Sequence, residues 1–253
     1  MIEGRIAALD TNLFDFVESQ TDNEDRKSFL AIHNRIATQG KFSYLEIGSH
    51  LGGTLQTVLA DARCVRVVSI DPRPQWQPDD RPGLDRWEYP NNSTERMLEL
   101  LQKVPYADLS KLETVEESTE NVAPGRFARP DFCFIDGEHT HGAALRDARF
   151  CRAVMQGAGI IAFHDFGIIC RAILAFLREV PRPHRAYPLR SDLFVVELGT
   201  EPTLLTDANV RGRLHRPGPW IAANRVAADT AFLAAYLLGR EAKYRATMTR
   251  RRG

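Results

Sequence analysis

Five apolar runs in this chain close on acidic, hydroxyl or imidazole groups. Glu46 sits near the end of FSYLEI, Asp71 ends CVRVVSID, and Glu116, Glu117 and Ser118 end KLETVEES. Asp136 and Glu138 follow FCFI, and His164 and Asp165 follow GIIAF. Continuous apolar runs of this length read as strands covered on both faces. In a parallel sheet all carboxyl ends lie on one edge, so the five groups are expected to converge on one cleft. Turn capping accounts for one such acid, and less easily for five in succession. Asp136, His164 and Asp165 form the sharpest group. Two carboxylates and an imidazole at neighbouring strand ends can hold a divalent metal: magnesium through the oxygens, with the nitrogen admitting manganese or a softer ion. His139 and His141 are further candidates for ligands or acceptor contacts, with surface or capping roles as the alternative.

Between the first strand and the next helix the chain reads GSHLGG, with Gly48, Gly52 and Gly53. Strand, glycine turn and helix open a nucleotide-binding βαβ unit, because glycine lets the backbone turn sharply and a ligand come close. The spacing is not GxGxxG. Ser49 and His50 stand where a pyrophosphate would need bare backbone, so the expected ligand is a nucleoside without a phosphate bridge. His50 is placed to touch either that ligand or the strand edge. Asp71, at the carboxyl end of the second strand, is placed to accept ribose hydroxyls. His33, His184 and His215 read as ordinary residues.

The elements that must position these groups alternate. Helical periodicity is expected in residues 2–18 and 29–37, then strand 42–47, helix 54–61, strand 64–71, helix 95–103, strand 111–118, strand 131–139, helix 140–155, strand 160–166, helix 168–180 and strand 193–198. Residues 203–207 read as a last strand or an irregular extension, and 220–246 as one or two helices. The fold class is α/β: a doubly wound, mostly parallel sheet with helices on both faces. A single domain over 1–253 is expected, with N-terminal helices to 40, a core at 41–198 and a C-terminal extension. Residues 72–93 are too long for an ordinary connection. Their Trp76, Trp87 and Tyr89 either pack the loop down or line an acceptor pocket.

Lys plus Arg and Asp plus Glu are 33 each, so no global charge recruits nucleic acid or acidic lipid. The basic run Arg250–Arg252 reads as a solvated terminus. Cys64, Cys133, Cys151 and Cys170 form no CxxC pair and read as reduced core residues. No apolar run resembles a signal peptide or spans a membrane, so a cytoplasmic location is expected. A homo-oligomer is the generic expectation.

The segments YLEIGSHLGGTL, VVSIDP, FCFIDGEHTHGAALRDARF and GAGIIAFHDF together resemble class I S-adenosylmethionine (SAM)-dependent methyltransferases, over roughly residues 25–198. More narrowly they are similar to the family 24 branch, related to metal-dependent O-methyltransferases of macrolide and aminocoumarin sugars. The resemblance implies that Glu46, Gly48, Ser49, His50 and Gly53 hold the methionine part of SAM, with Asp136 also against the cofactor. It implies that Asp71 binds the ribose and that Glu117 and Ser118 flank the adenine. Asp136, His164 and Asp165 match the metal positions, where the sugar enzymes have three carboxylates. Glu138 falls at the catalytic-base position, an aspartate in that group, with Asp136 and His139 as its expected catalytic neighbours. The implied reaction is methyl transfer to a hydroxyl of a small molecule or glycoside, a sugar or catechol diol, with magnesium as an optional helper. A non-catalytic SAM-binding scaffold, a dinucleotide-dependent oxidoreductase and N-methylation are the alternatives.

Overall fold

A computed structural model describes residues 1–199, 204–215 and 230–250. Its centre is a seven-stranded sheet: β1 (Phe42–Ile47), β2 (Cys64–Ile70), β5 (Leu112–Val115), β6 (Phe132–Ile135), β7 (Gly159–Phe163), β8 (His184–Pro188) and β9 (Phe194–Leu198), in the order β5-β2-β1-β6-β7-β9-β8. The first five in that order run parallel, and β9 is antiparallel to both β7 and β8. The strand order reverses between β1 and β6, which opens a crevice at their carboxyl ends. β6 is buried at every position, as its unbroken apolar sequence predicts.

Connecting helices are α3 (Leu55–Ala60), α4 (Thr94–Leu101), α5 (His141–Met155) and α6 (Phe166–Glu179). Their starts follow the expected capping chemistry. Ser93 accepts from the Arg96 amide at 3.2 Å and Thr140 from the Ala143 amide at 3.2 Å. Before the sheet come α1 (Ile2–Ala7) and α2 (Asn23–Ala37), the latter opened by a capping box between Asp22 and Asp25. Phe29 of α2 packs among Phe132, Phe134 and Tyr44 with ring centroids 5.3–6.0 Å apart. The N-terminal helices therefore cover the sheet. Beyond β9 lie a 3₁₀ turn at Leu204–Thr206, α7 (Ala208–Gly212) and α8 (Thr230–Arg250), which packs on α6. The expected 203–207 strand is that turn, apart from Thr203, which falls outside the described residues. So do part of the expected 220–246 helix and Arg251 and Arg252.

Two elements differ from the sequence reading. Residues 184–188, HRAYP, form β8, whose mixed polarity and terminal proline hide it from pattern reading; proline is tolerated here because β8 is the sheet edge. Residues 72–93 hold a small antiparallel hairpin, β3 (Trp76–Pro78) and β4 (Arg86–Glu88). Trp76 and Trp87 stay largely exposed, under Arg86 and Arg81 respectively, and only Tyr89 is buried. All four cysteines are free and buried. Among the described residues no helix is long and apolar enough to cross a membrane.

Candidate active site

The sheet ladder continues one step past each strand, and this sets the position of the chemistry. The amide of Gly48 donates to Ile70 O, Asp71 to Val115 O, Asp136 to Ile47 O and His164 to Ile135 O, each at 2.9 Å. Four of the sequence-predicted residues therefore stand in register along one edge.

The glycine turn packs tightly. Gly48 has φ +82°, and a Cβ there would run into Asp136 O and Gly137 Cα. At Gly53 a Cβ would come within 2.6 Å of Ser19 Cα, because residues 18–20 fold over the turn. The amide of His50 donates to Asp71 Oδ2 at 2.9 Å, and the amide of Arg73 to Oδ1 at 2.8 Å. A carboxylate offers about four acceptor positions, so Asp71 retains capacity for hydroxyls. The His50 ring packs edge-on against Tyr89 at 5.2 Å, and its buried Nε2 has no hydrogen-bond partner. Ser49 turns its hydroxyl inward, 2.5 Å from Ser69 Oγ, so only its backbone serves the turn surface. Arg73, not singled out by sequence, donates to Ser49 Oγ at 3.1 Å and to His50 O from beneath.

Two cavities flank this turn. The first, about 500 Å³ and open to solvent, is lined by Glu46, His50, Asp71, Tyr89 and Asp136 together with Glu18–Gln20. Glu46 is buried between the Tyr44 and Thr54 hydroxyls, both at 2.5 Å. Burial, aided by the charge of Asp136, pushes its carboxyl up to about 8 despite these bonds. The second cavity, about 670 Å³, is lined by Pro72, Glu117, Ser118, Glu138 and Asp147. Asp147 on α5 is a buried acid that no pattern in the sequence singles out. It accepts from Thr119 Oγ1 at 2.5 Å, and burial raises it to about 6.

Glu138 is thus on the Ser118 side, accepting from Thr140 Oγ1 at 2.7 Å. It does not join Asp136 in the first cavity, because the chain turns at Gly137 and sends the two side chains to different cavities.

The expected metal-ligand residues Asp136, His164 and Asp165 lie together at this edge, with His139 among them. His164 lies between carboxylates, Nδ1 2.9 Å from Asp136 Oδ1 and Nε2 3.3 Å from Asp25 Oδ2. Burial favours its neutral form, but Asp136, Asp165 and Asp25 outweigh this and hold its pKa well above the usual imidazole value. Both of its nitrogens therefore face carboxylates. The group that converges is Asp136, His139 and Asp165, with ligand atoms within 4.8 Å of one another. His139 Nε2 is 3.1 Å from Asp165 Oδ2 and 3.8 Å from Asp136 Oδ1, without hydrogen-bond alignment. Two carboxylates and an unbonded imidazole nitrogen suit a divalent ion such as magnesium or manganese. Burial opposes protonation of His139, yet Asp136, Asp79 and Asp165 raise it to about 9. Burial likewise opposes ionisation of Asp136, but His164 and His139 hold it below the usual carboxylate range. His141 stays outside the cluster; its amide donates to Asp80 at 2.8 Å.

The model of a family described as a methyltransferase domain matches residues 45–166. No curated protein matches the chain. Among solved structures it is similar to a putative O-methyltransferase from Klebsiella pneumoniae (15% identity, TM-score 0.51). It is also similar to the O-methyltransferase TomG from Streptomyces achromogenes, involved in tomaymycin synthesis and solved with SAM, and to an O-methyltransferase from Bacillus cereus solved with S-adenosylhomocysteine (SAH) (13% identity and TM-score 0.51 for both). Each alignment covers 79% of this chain and 90% of the other. At these identities the likeness is one of fold, the Rossmann-like methyltransferase sheet.

Proposed function

We propose that this chain, whose residues 45–166 match a methyltransferase domain, is a SAM-dependent methyltransferase that transfers the methyl group to a hydroxyl of a small molecule or glycoside. The observation that carries the acceptor class is the contiguity of the first cavity with the acid–imidazole cluster: Asp136 lines the one and belongs to the other.

In this reading the methionine part of SAM lies along Gly48–Gly53 beside Glu46, and Asp71 takes the ribose hydroxyls. The adenine lies in the second cavity between Pro72, Glu117 and Ser118, with Asp147 at its edge. The donor is already activated, so the protein's task is alignment of the acceptor oxygen behind the carbon–sulfur bond and removal of its proton. Asp136 orients the hydroxyl. Where no ion is bound, neutral His139 takes the proton through Nε2; where one is bound, that nitrogen is a ligand. His164, fixed by Asp25, holds Asp136 in place. Asp136, His139 and Asp165 would hold a divalent ion, which when bound lowers the pKa of a chelated hydroxyl; a vicinal diol is the matching acceptor. The free buried cysteines support a reducing, cytoplasmic setting, and the balanced charge supports a small-molecule partner over nucleic acid.

The test is incubation of the purified chain with SAM and a panel of vicinal diols, sugars and catechols, with and without magnesium, read by mass spectrometry. Addition of one methyl group to an acceptor, abolished by His139→Gln, is expected. SAM turnover on amines with none on any hydroxyl would overturn the acceptor assignment.

A further inference from the structure

The cluster of Asp136, His139 and Asp165 is closed on one side by a cation that the chain itself supplies. Arg81 reaches in from the turn between β3 and β4. Its Nη2 lies 3.1 Å from Asp165 Oδ2 and 2.9 Å from His139 Nδ1, and its Nε lies 3.3 Å from Asp79 Oδ2. The guanidinium also packs over the Trp87 ring at 5.0 Å. The turn is anchored where it meets the cluster: the Asp80 amide donates to His139 O at 3.1 Å, and Asp80 Oδ2 accepts from the His141 amide at 2.8 Å. Arg81 is therefore held in place at its backbone, at its head group and along the plane of the guanidinium.

The guanidinium thus already pairs with Asp165 and Asp79 and occupies the Nδ1 side of His139. A divalent ion held by Asp136, Asp165 and His139 would draw on the same carboxylate and the same imidazole, and two cations this close repel each other.

We propose that Arg81 and a divalent cation are alternative occupants of the position beside Asp165 and His139, so that the ion binds only by displacing the guanidinium. The competition goes beyond methyl transfer itself and does not depend on the identity of the acceptor. It has a structural consequence. Gln77 and Tyr89, in and just after the same hairpin, line the first cavity, so release of Arg81 would loosen one wall of the cleft.

Manganese, titrated into the full-length ligand-free chain and followed by the electron paramagnetic resonance of the free ion, tests this. Arg81→Gln is expected to bind manganese at least about ten-fold more tightly than wild type, in the range by which partners around a metal site tune affinity. Arg81→Lys, which keeps the charge but not the planar fork, is expected to fall between them. The gain should vanish in R81Q/D165N. Equal affinity of wild type and R81Q, weaker binding by R81Q, a gain that survives in R81Q/D165N, or no manganese binding by any folded variant would each overturn the proposal. Melting curves establish folding. SAH binding, measured separately by calorimetry, tells a failure of the methyltransferase reading apart from a failure of this one.

Discussion

His164 Nδ1 lies 2.9 Å from Asp136 Oδ1, and this contact ties the carboxyl ends of β6 and β7 together at the edge of the candidate active site. Its other nitrogen faces Asp25, which also accepts from the Asp192 amide at 2.9 Å. A residue of the N-terminal helix α2 thus reaches this edge through one imidazole.

If that chain positions Asp136, Asp25→Asn should lower turnover roughly 10–100-fold, the range seen when a supporting partner of a site is removed, while SAH affinity stays at the wild-type value. Steady-state kinetics beside calorimetry check this. His164→Ala is harsher. It removes the imidazole shared by buried Asp25 and half-buried Asp136 and should cost up to about 3–5 kcal/mol of stability, read by urea denaturation.

Gly53→Ala tests the role of residues 18–20. The added Cβ would meet the backbone of Ser19 and Glu18 at 2.6–2.7 Å, so that segment must lift off the turn. Overpacking of this kind costs about 1–3 kcal/mol. The expected outcome is a folded protein with weakened SAH binding and faster proteolysis at the N-terminal segment. Unchanged affinity would mean that residues 18–20 do not wall the cofactor cleft.

Glu46 makes stability depend on pH. Its carboxyl is raised from an ordinary 4.5 to about 8, chiefly by burial. Between those values the folded chain keeps a proton that the unfolded chain has lost, so Glu46 makes stability fall as pH rises through this window. Its contribution is fully present below pH 4.5 and gone above about 8. Glu46→Gln, which keeps the neutral shape, should flatten that part of the profile in melting experiments from pH 5 to 8. An equal slope in both proteins would contradict the burial argument.

The five parallel strands and the edge they share were legible because each apolar run ends abruptly at a polar group, and the ladder places Gly48, Asp71, Asp136 and His164 side by side. The contacts that decide roles were not legible. Asp79 meets His139 across 60 positions of sequence, and Asp25 meets His164 across 139. No local pattern distinguishes an imidazole clamped between two acids, as His164 is, from one with an unpartnered nitrogen, as His139 is. Adjacent residues at a strand end also diverge, and the turn at Gly137 decides that Asp136 and Glu138 line different cavities. Arg81 and Arg73 sit in a proline-rich stretch whose sequence has no period from which to infer that they point inward.

Calorimetric titration of SAH into the purified chain, beside Asp71→Asn, tests the central claim most directly. The account predicts one-to-one binding by the wild type and at least a several-fold loss in the variant, which loses the charge and turns an NH2 toward one of the two amides that donate to Asp71. A wild-type protein that melts cooperatively yet binds no SAH would contradict the cofactor site at Gly48–Gly53 and with it the proposed reaction.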